Sequence, residues 1–143
     1  FSVTIYNETI TVRGSFVVSV DETANTAAYS NTNLITTVSS VAGQYVMKDG
    51  TYNVTFGTTN ITYTSGTGLI YLTDYGRTLW QISQPLVFSL YTNTFTSGKI
   101  IYTGAANSSI IATYSSTGVQ VEVDADGDGA YEGLNTYNWS YFQ

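Results

Sequence analysis

Histidine and cysteine are both absent from this 143-residue chain. Without them there is no imidazole general base, no thiol nucleophile, and neither of the commonest zinc ligands. No disulfide staples the fold. Charge is nearly as scarce: four basic and ten acidic residues make up 10% of the sequence, against about 25% in ordinary soluble domains. The four cations, Arg13, Lys48, Arg77 and Lys99, are scattered singly and the net charge is -6, so no basic stripe exists to neutralise nucleic-acid phosphates. Apolar runs are as short as Leu86-Val87-Phe88, far below the ~20 residues a membrane-spanning helix requires. Proline occurs once, at Pro85, which leaves no proline-rich linker to divide the chain.

What replaces charge is hydroxyl and amide. The chain holds 24 Thr, 15 Ser, 13 Tyr and 10 Asn, and these must keep its surface wet. Such a surface suits a protein working outside the cell. Phe1 opens the sequence with no basic and apolar leader before the first strand-like run, and the chain is read as a mature exported one whose signal segment has been removed. A length of 143 residues fits one domain that buries roughly 68% of its unfolded surface.

Period-two alternation bounded by Gly, Asn, Asp and Ser recurs throughout, and no stretch carries a helical apolar stripe. The expected class is all-β, and short strands separated by frequent turns indicate an antiparallel β-sandwich, immunoglobulin-like or jelly-roll in style, with an extended N-terminal strand. Asp49-Gly50 lies between two alternating runs in Gln44 to Phe56 and predicts a hairpin there. Further strands are expected at Asn60 to Thr64, Gly68 to Thr73, Thr78 to Ser83, Leu86 to Thr92, Lys99 to Thr103, Ser109 to Tyr114 and Val119 to Asp124. Pro85 lacks a donor and marks a strand start or an edge.

The N-terminal segment divides from the rest. Phe1, Val3 and Ile5 alternate with hydroxyl-bearing residues, and Ile10 and Val12 continue in the opposite phase, so the chain turns near Asn7-Glu8. One reading is a first hairpin packed on its own sheet. The other makes residues 1–13 a donor-strand arm, with residues 14–143 as the β-sandwich domain. Phe1, Val3, Ile5, Ile10 and Val12 would then fill pockets in a neighbouring copy while backbone pairing supplies affinity. Head-to-tail donation of that kind grows a filament, because a heterologous contact need not close.

Five Asn-x-Ser/Thr triplets, at Asn7, Asn53, Asn60, Asn107 and Asn138, are candidate acceptors of N-linked glycans. The segment Asp124-Ala125-Asp126-Gly127-Asp128-Gly129-Ala130-Tyr131-Glu132 holds four of the ten acids. Its D-x-D-x-D-G spacing matches the opening of a calcium loop, with Asp124, Asp126, Asp128 and Glu132 as candidate Ca2+ ligands. Position twelve is Asn135, not the bidentate glutamate of an EF-hand, so the segment is closer to the short loops between β-strands of extracellular proteins. A metal-free Asp-Gly turn accounts for the same residues. The remaining acids form no catalytic motif, and no enzyme is expected. Trp80, Trp139 and exposed tyrosines leave one alternative, a self-contained cell-surface module that stacks on surface glycans.

Taken together, a cysteine-free, Thr/Ser/Tyr/Asn-rich, sequon-bearing β-chain with a strand-forming N-terminal arm resembles archaeal surface filament subunits of the thread and bundling-pilus kind. The resemblance is compositional and architectural, and it spans the whole chain. It implies a glycosylated extracellular subunit, polymerised with copies of itself by donor-strand complementation and serving adhesion or biofilm. It sets the chain apart from type IV pilins and archaellins, whose long apolar N-terminal helix has no counterpart in residues 1–30.

Overall fold

The structure, a computed structural model, describes the backbone of residues 2–5, 8–38, 44–72 and 76–142, and the side chains of residues 13–32, 34–35, 50–71 and 76–140. It is all-β, as the alternation requires. Ten strands pair antiparallel in one sheet whose spatial order follows the sequence. They are β1 (Ser2–Ile5), β2 (Glu8–Asp21), β3 (Thr26–Val38), β4 (Gln44–Phe56), β5 (Asn60–Leu72), β6 (Gly76–Ser89), β7 (Thr94–Thr103), β8 (Ser109–Ser115), β9 (Gly118–Asp124) and β10 (Gly133–Asn138). This meander does not close on itself, and a division into two separately bonded sheets is not part of the pairing pattern.

The strands are longer than local turn signals predict. Asp49-Gly50 does not close a hairpin: β4 runs straight through it, pairing Asn31 with Gly50 on one side and shifting register between Lys48 and Thr51 on the other. Pairing along both flanks of a 13-residue strand outweighs the turn preference of one dipeptide. Likewise the two strands expected at Asn60 to Thr64 and Gly68 to Thr73 are one strand, β5, with Ser65 to Thr67 inside it, and the two strands expected on either side of Pro85 are one strand, β6. Pro85 sits between the pairs Gln84–Lys99 and Val87–Ser97, where the β6–β7 register breaks; a residue with no N–H is tolerated where the ladder asks for none.

Such breaks recur at Arg13/Ser15, Lys48/Thr51, Tyr63/Thr67 and Ile82 to Phe88. Bulges bend and twist a sheet, and here the bends turn one face inward. Trp80 is 3% exposed and packs with Ile82 and Leu86 against Tyr52, Tyr63, Ile70, Phe95, Ile100, Tyr102 and Tyr114. Two glycines floor the indole: a Cβ at Gly66 would lie 3.1 Å from Trp80 Cζ3, and one at Gly68 would lie 2.7 Å from Nε1. Tyr52 closes the sandwich around the ring, stacked at 4.8 Å and 24°. Only strands whose backbones lack side chains at those two positions can approach the indole so closely.

Candidate functional site

The hairpin β1–β2 places the N-terminal segment. Ile5 pairs with Glu8 and Ser2 with Thr11, so Glu8, expected in the turn, is already in β2, and Asn7 lies outside the described residues. The segment therefore packs on its own sheet in this structure. The boundary at residue 13 is not an element boundary, because β2 continues to Asp21 across a kink at Gly14, whose φ is 131°. Of the candidate donor residues, Val3, Ile5, Ile10 and Val12 hold defined register positions, while Phe1 lies outside the described residues.

Strands β3 to β7 together enclose an open apolar hollow of about 480 Å³, lined by Tyr29, Leu34, Tyr52, Val54, Tyr63, Leu86, Phe95 and Ile100. It lies along a row of aromatic contacts crossing the sheet. Phe16 meets Tyr29 at 6.0 Å, Tyr29 meets Tyr52 at 5.5 Å, Tyr63 meets Phe95 at 6.2 Å, and Phe95 meets Tyr114 at 5.2 Å. Burial raises the phenol pKa of Tyr52 to about 12, and neighbouring Tyr29, Tyr102 and Tyr63 add to the shift. Tyr114 is also pushed up to about 12, mainly by burial, and Tyr102 is raised by the same cause. The hollow accommodates neutral, apolar side chains.

Trp80 is committed to this core and unavailable to a sugar. Trp139 is half-buried on Tyr114, its Nε1 donating to the Ser115 carbonyl at 2.9 Å.

The acidic loop joins β9 to β10 and gathers as its spacing suggests. Carboxylate oxygens of Asp124, Asp126, Asp128 and Glu132 lie within 4.8 Å of one another. Asp124 is 4% exposed, and its two oxygens accept from the backbone N–H groups of Gly127 at 2.7 Å and Gly129 at 3.1 Å. Asp126 accepts from Asp128 N–H at 3.2 Å, Asp128 from Ala130 N–H at 2.7 Å, and Glu132 from Ala125 N–H at 2.8 Å. These donors offset the mutual repulsion of the acids. Gly127 is obligatory: its φ is 80°, and a Cβ there would run into the Ala106 carbonyl.

No protein-family model, curated protein or solved structure matches the chain.

Among the sequons, Asn53, Asn107 and Asn138 are exposed and Asn60 is half-buried, while Asn7 lies outside the described residues. Asn53 Nδ2 donates to Ser65 Oγ at 2.8 Å across β4–β5. Asn107 ends the short helical turn Ala105–Asn107, at φ 63°, and Asn138 ends β10.

Sequence reading missed β3 and the middle of β2. In β2, the run Phe16-Val17-Val18-Ser19-Val20 was the available signal. β1 covers only Glu8 to Thr11 of that strand, so from Val12 to Asp21 the outer edge of β2 has no strand partner among the described residues.

Proposed function

We propose that the chain is a structural subunit of an extracellular filament, polymerised by passing residues 1–13 to a neighbouring copy, N-glycosylated, and serving adhesion or biofilm. The observation that carries this reading is the uncovered hollow on the inner face of the sheet. An open sheet with an exposed apolar groove binds whatever extended apolar segment reaches it, and residues 1–13 supply one with the required alternation. In cis that segment is joined to the rest of the sheet by the pairs Ile10–Val38, Thr11–Thr37, Val12–Thr36 and Arg13–Ile35, a contact short enough to exchange. The second layer of a sandwich then comes from the neighbour. The resemblance to thread and bundling-pilus subunits points the same way.

Electron microscopy of the full chain should show filaments, and the variants Val3→Asp and Ile5→Asp, which place a charge in the donated face, should give single particles. Filaments from both variants, or none from the parent, would end the proposal. Glycosylation predicts an intact mass for the native material above the bare 15.5 kDa; native protein at that mass carries no glycan.

A calcium ion held by Asp124, Asp126, Asp128 and Glu132 is a subsidiary part of this reading, since a hard cation prefers clustered carboxylate oxygens. A ligand binding only the folded state at about 100 times its Kd adds ~2.7 kcal/mol. Millimolar calcium is therefore expected to raise the melting temperature by several degrees in the parent and to lose that effect in Asp126→Asn. An unchanged melting temperature leaves the loop as a metal-free turn.

A further inference from the structure

The free edge of β2 raises a separate question of what covers it. Open edges are normally blunted by lysine, proline, brevity or an overlying element. Residues 12–21 hold no lysine and no proline, and the side chains beside them stand in solvent: Phe16 is 57% exposed, Val17 66%, Val18 50% and Val20 61%. By contrast β10, the opposite edge, is six residues long and mostly polar.

We propose that this edge is a homotypic interface, in which β2 pairs antiparallel with β2 of a second copy about a two-fold axis at Val17. The ladder fixes which groups face outward. Ile5 and Glu8 are antiparallel partners only three positions apart, which makes them a hydrogen-bonded pair and directs the backbone groups of Glu8 and Ile10 outward. Alternation carries this to Gly14, Phe16, Val18 and Val20, because the extra residue at the Arg13/Ser15 break lies on β3 (Arg13 pairs with Ile35, and Ser15 with Thr32). Outward groups meet outward groups only if paired positions have an even sum.

Of those registers, centring on Val17 alone is self-complementary in charge. It sets Arg13 opposite the second copy's Asp21, twice, and these are the only charges in the stretch. Phe16 then faces Val18, and Ser15 faces Ser19. Centring on Phe16 leaves Arg13 opposite Ser19, and centring on Val18 leaves it opposite Thr23. Asp21 uses Oδ1 to cap the turn, accepting from Thr23 and Ala24 N–H at 3.0 Å each, which leaves Oδ2 for the arginine. Phe16 also ends the aromatic row, so pairing there carries the row's apolar surface across to the second copy. A two-fold contact closes on itself, and it makes a dimer of copies that keep residues 1–13 in cis, where Arg13 stays paired with Ile35.

The chain has no cysteine, so single cysteines read the register directly. At the two-fold axis Val17 faces its own copy in a non-hydrogen-bonded pair, with Cα atoms ~4.5 Å apart, inside the range a disulfide spans. Position 15 faces position 19, so like positions lie about four residues, or ~14 Å, apart and cannot bridge. Under mild oxidation full-length Val17→Cys is expected to run as a covalent dimer on a non-reducing gel. Ser15→Cys and Ser19→Cys each stay monomeric alone and cross-link when mixed. All three positions are exposed, so the variants should fold. Absence of the Val17→Cys dimer, or equal cross-linking of all three single variants, would overturn the proposal. The gel reads this contact whether or not filaments form, so its failure and that of the filament reading are separable.

Discussion

Replacing Trp80 with alanine is expected to cost ~3–5 kcal/mol, a large part of the roughly 5–15 kcal/mol that holds a domain folded. The ring is the centre of the inward face, packed with Ile82 and Leu86 and stacked on Tyr52. Gly66 and Gly68 lie beneath it so closely that neighbouring strands cannot collapse into the vacated space without breaking their ladders. Denaturant titration should move the midpoint far down or show no folded baseline. Trp80→Phe should cost much less, because it keeps an aromatic ring and removes a buried indole N–H that has no hydrogen-bond partner among the described residues. Gly68→Val tests the same floor from the other side: its Cβ would stand 2.8 Å from the Gly50 Cα as well as against the indole. If both Trp80→Ala and Gly68→Val kept the parent midpoint, this core would not be what stabilises the sheet.

Raising the pH from 10 to 12 is expected to unfold the protein cooperatively. A free tyrosine loses its proton near pH 10, whereas burial holds Tyr52 and Tyr114 up to about 12 and raises Tyr102. Above pH 10 the unfolded chain thus binds fewer protons than the folded one, and stability falls as pH rises. The contribution is complete below pH 10 and is lost as pH passes through the folded-state values. Tyrosinate absorbance and circular dichroism followed together should give one coincident transition in that window. Tyr52→Phe should move it to higher pH relative to its own stability at pH 8. Intact sheet at pH 12 with all tyrosines ionised would contradict the packing described for these rings.

Local spacing carried the parts of the molecule that fold locally. The hairpin β8–β9 was expected as Ser109 to Tyr114 and Val119 to Asp124 and is found as Ser109–Ser115 and Gly118–Asp124, because Ser116-Thr117 is a turn that nothing outside it opposes. The four acids of the Asp124 loop converge for the same reason: all their partners lie within nine residues. Asp49-Gly50 misled because its turn preference competes with β3 and β5, which pair with β4 on both sides of the dipeptide. β3 was missed because Thr26 to Asn33 holds only two alanines and a tyrosine as apolar residues, too few to mark one face.

By itself the sequence determined the class and the limits of the chemistry: alternation makes strands, the missing histidine and cysteine remove their reagents, and an N-terminal segment of alternating apolar and hydroxyl residues can only be a strand. Tertiary structure decided how far each strand extends, where the sheet bends, and which apolar surface stays uncovered. Those outcomes depend on register between segments far apart in the chain. A hollow lined from β3 to β7, and an edge of β2 without a strand partner among the described residues, exist only after every neighbouring strand has taken its place.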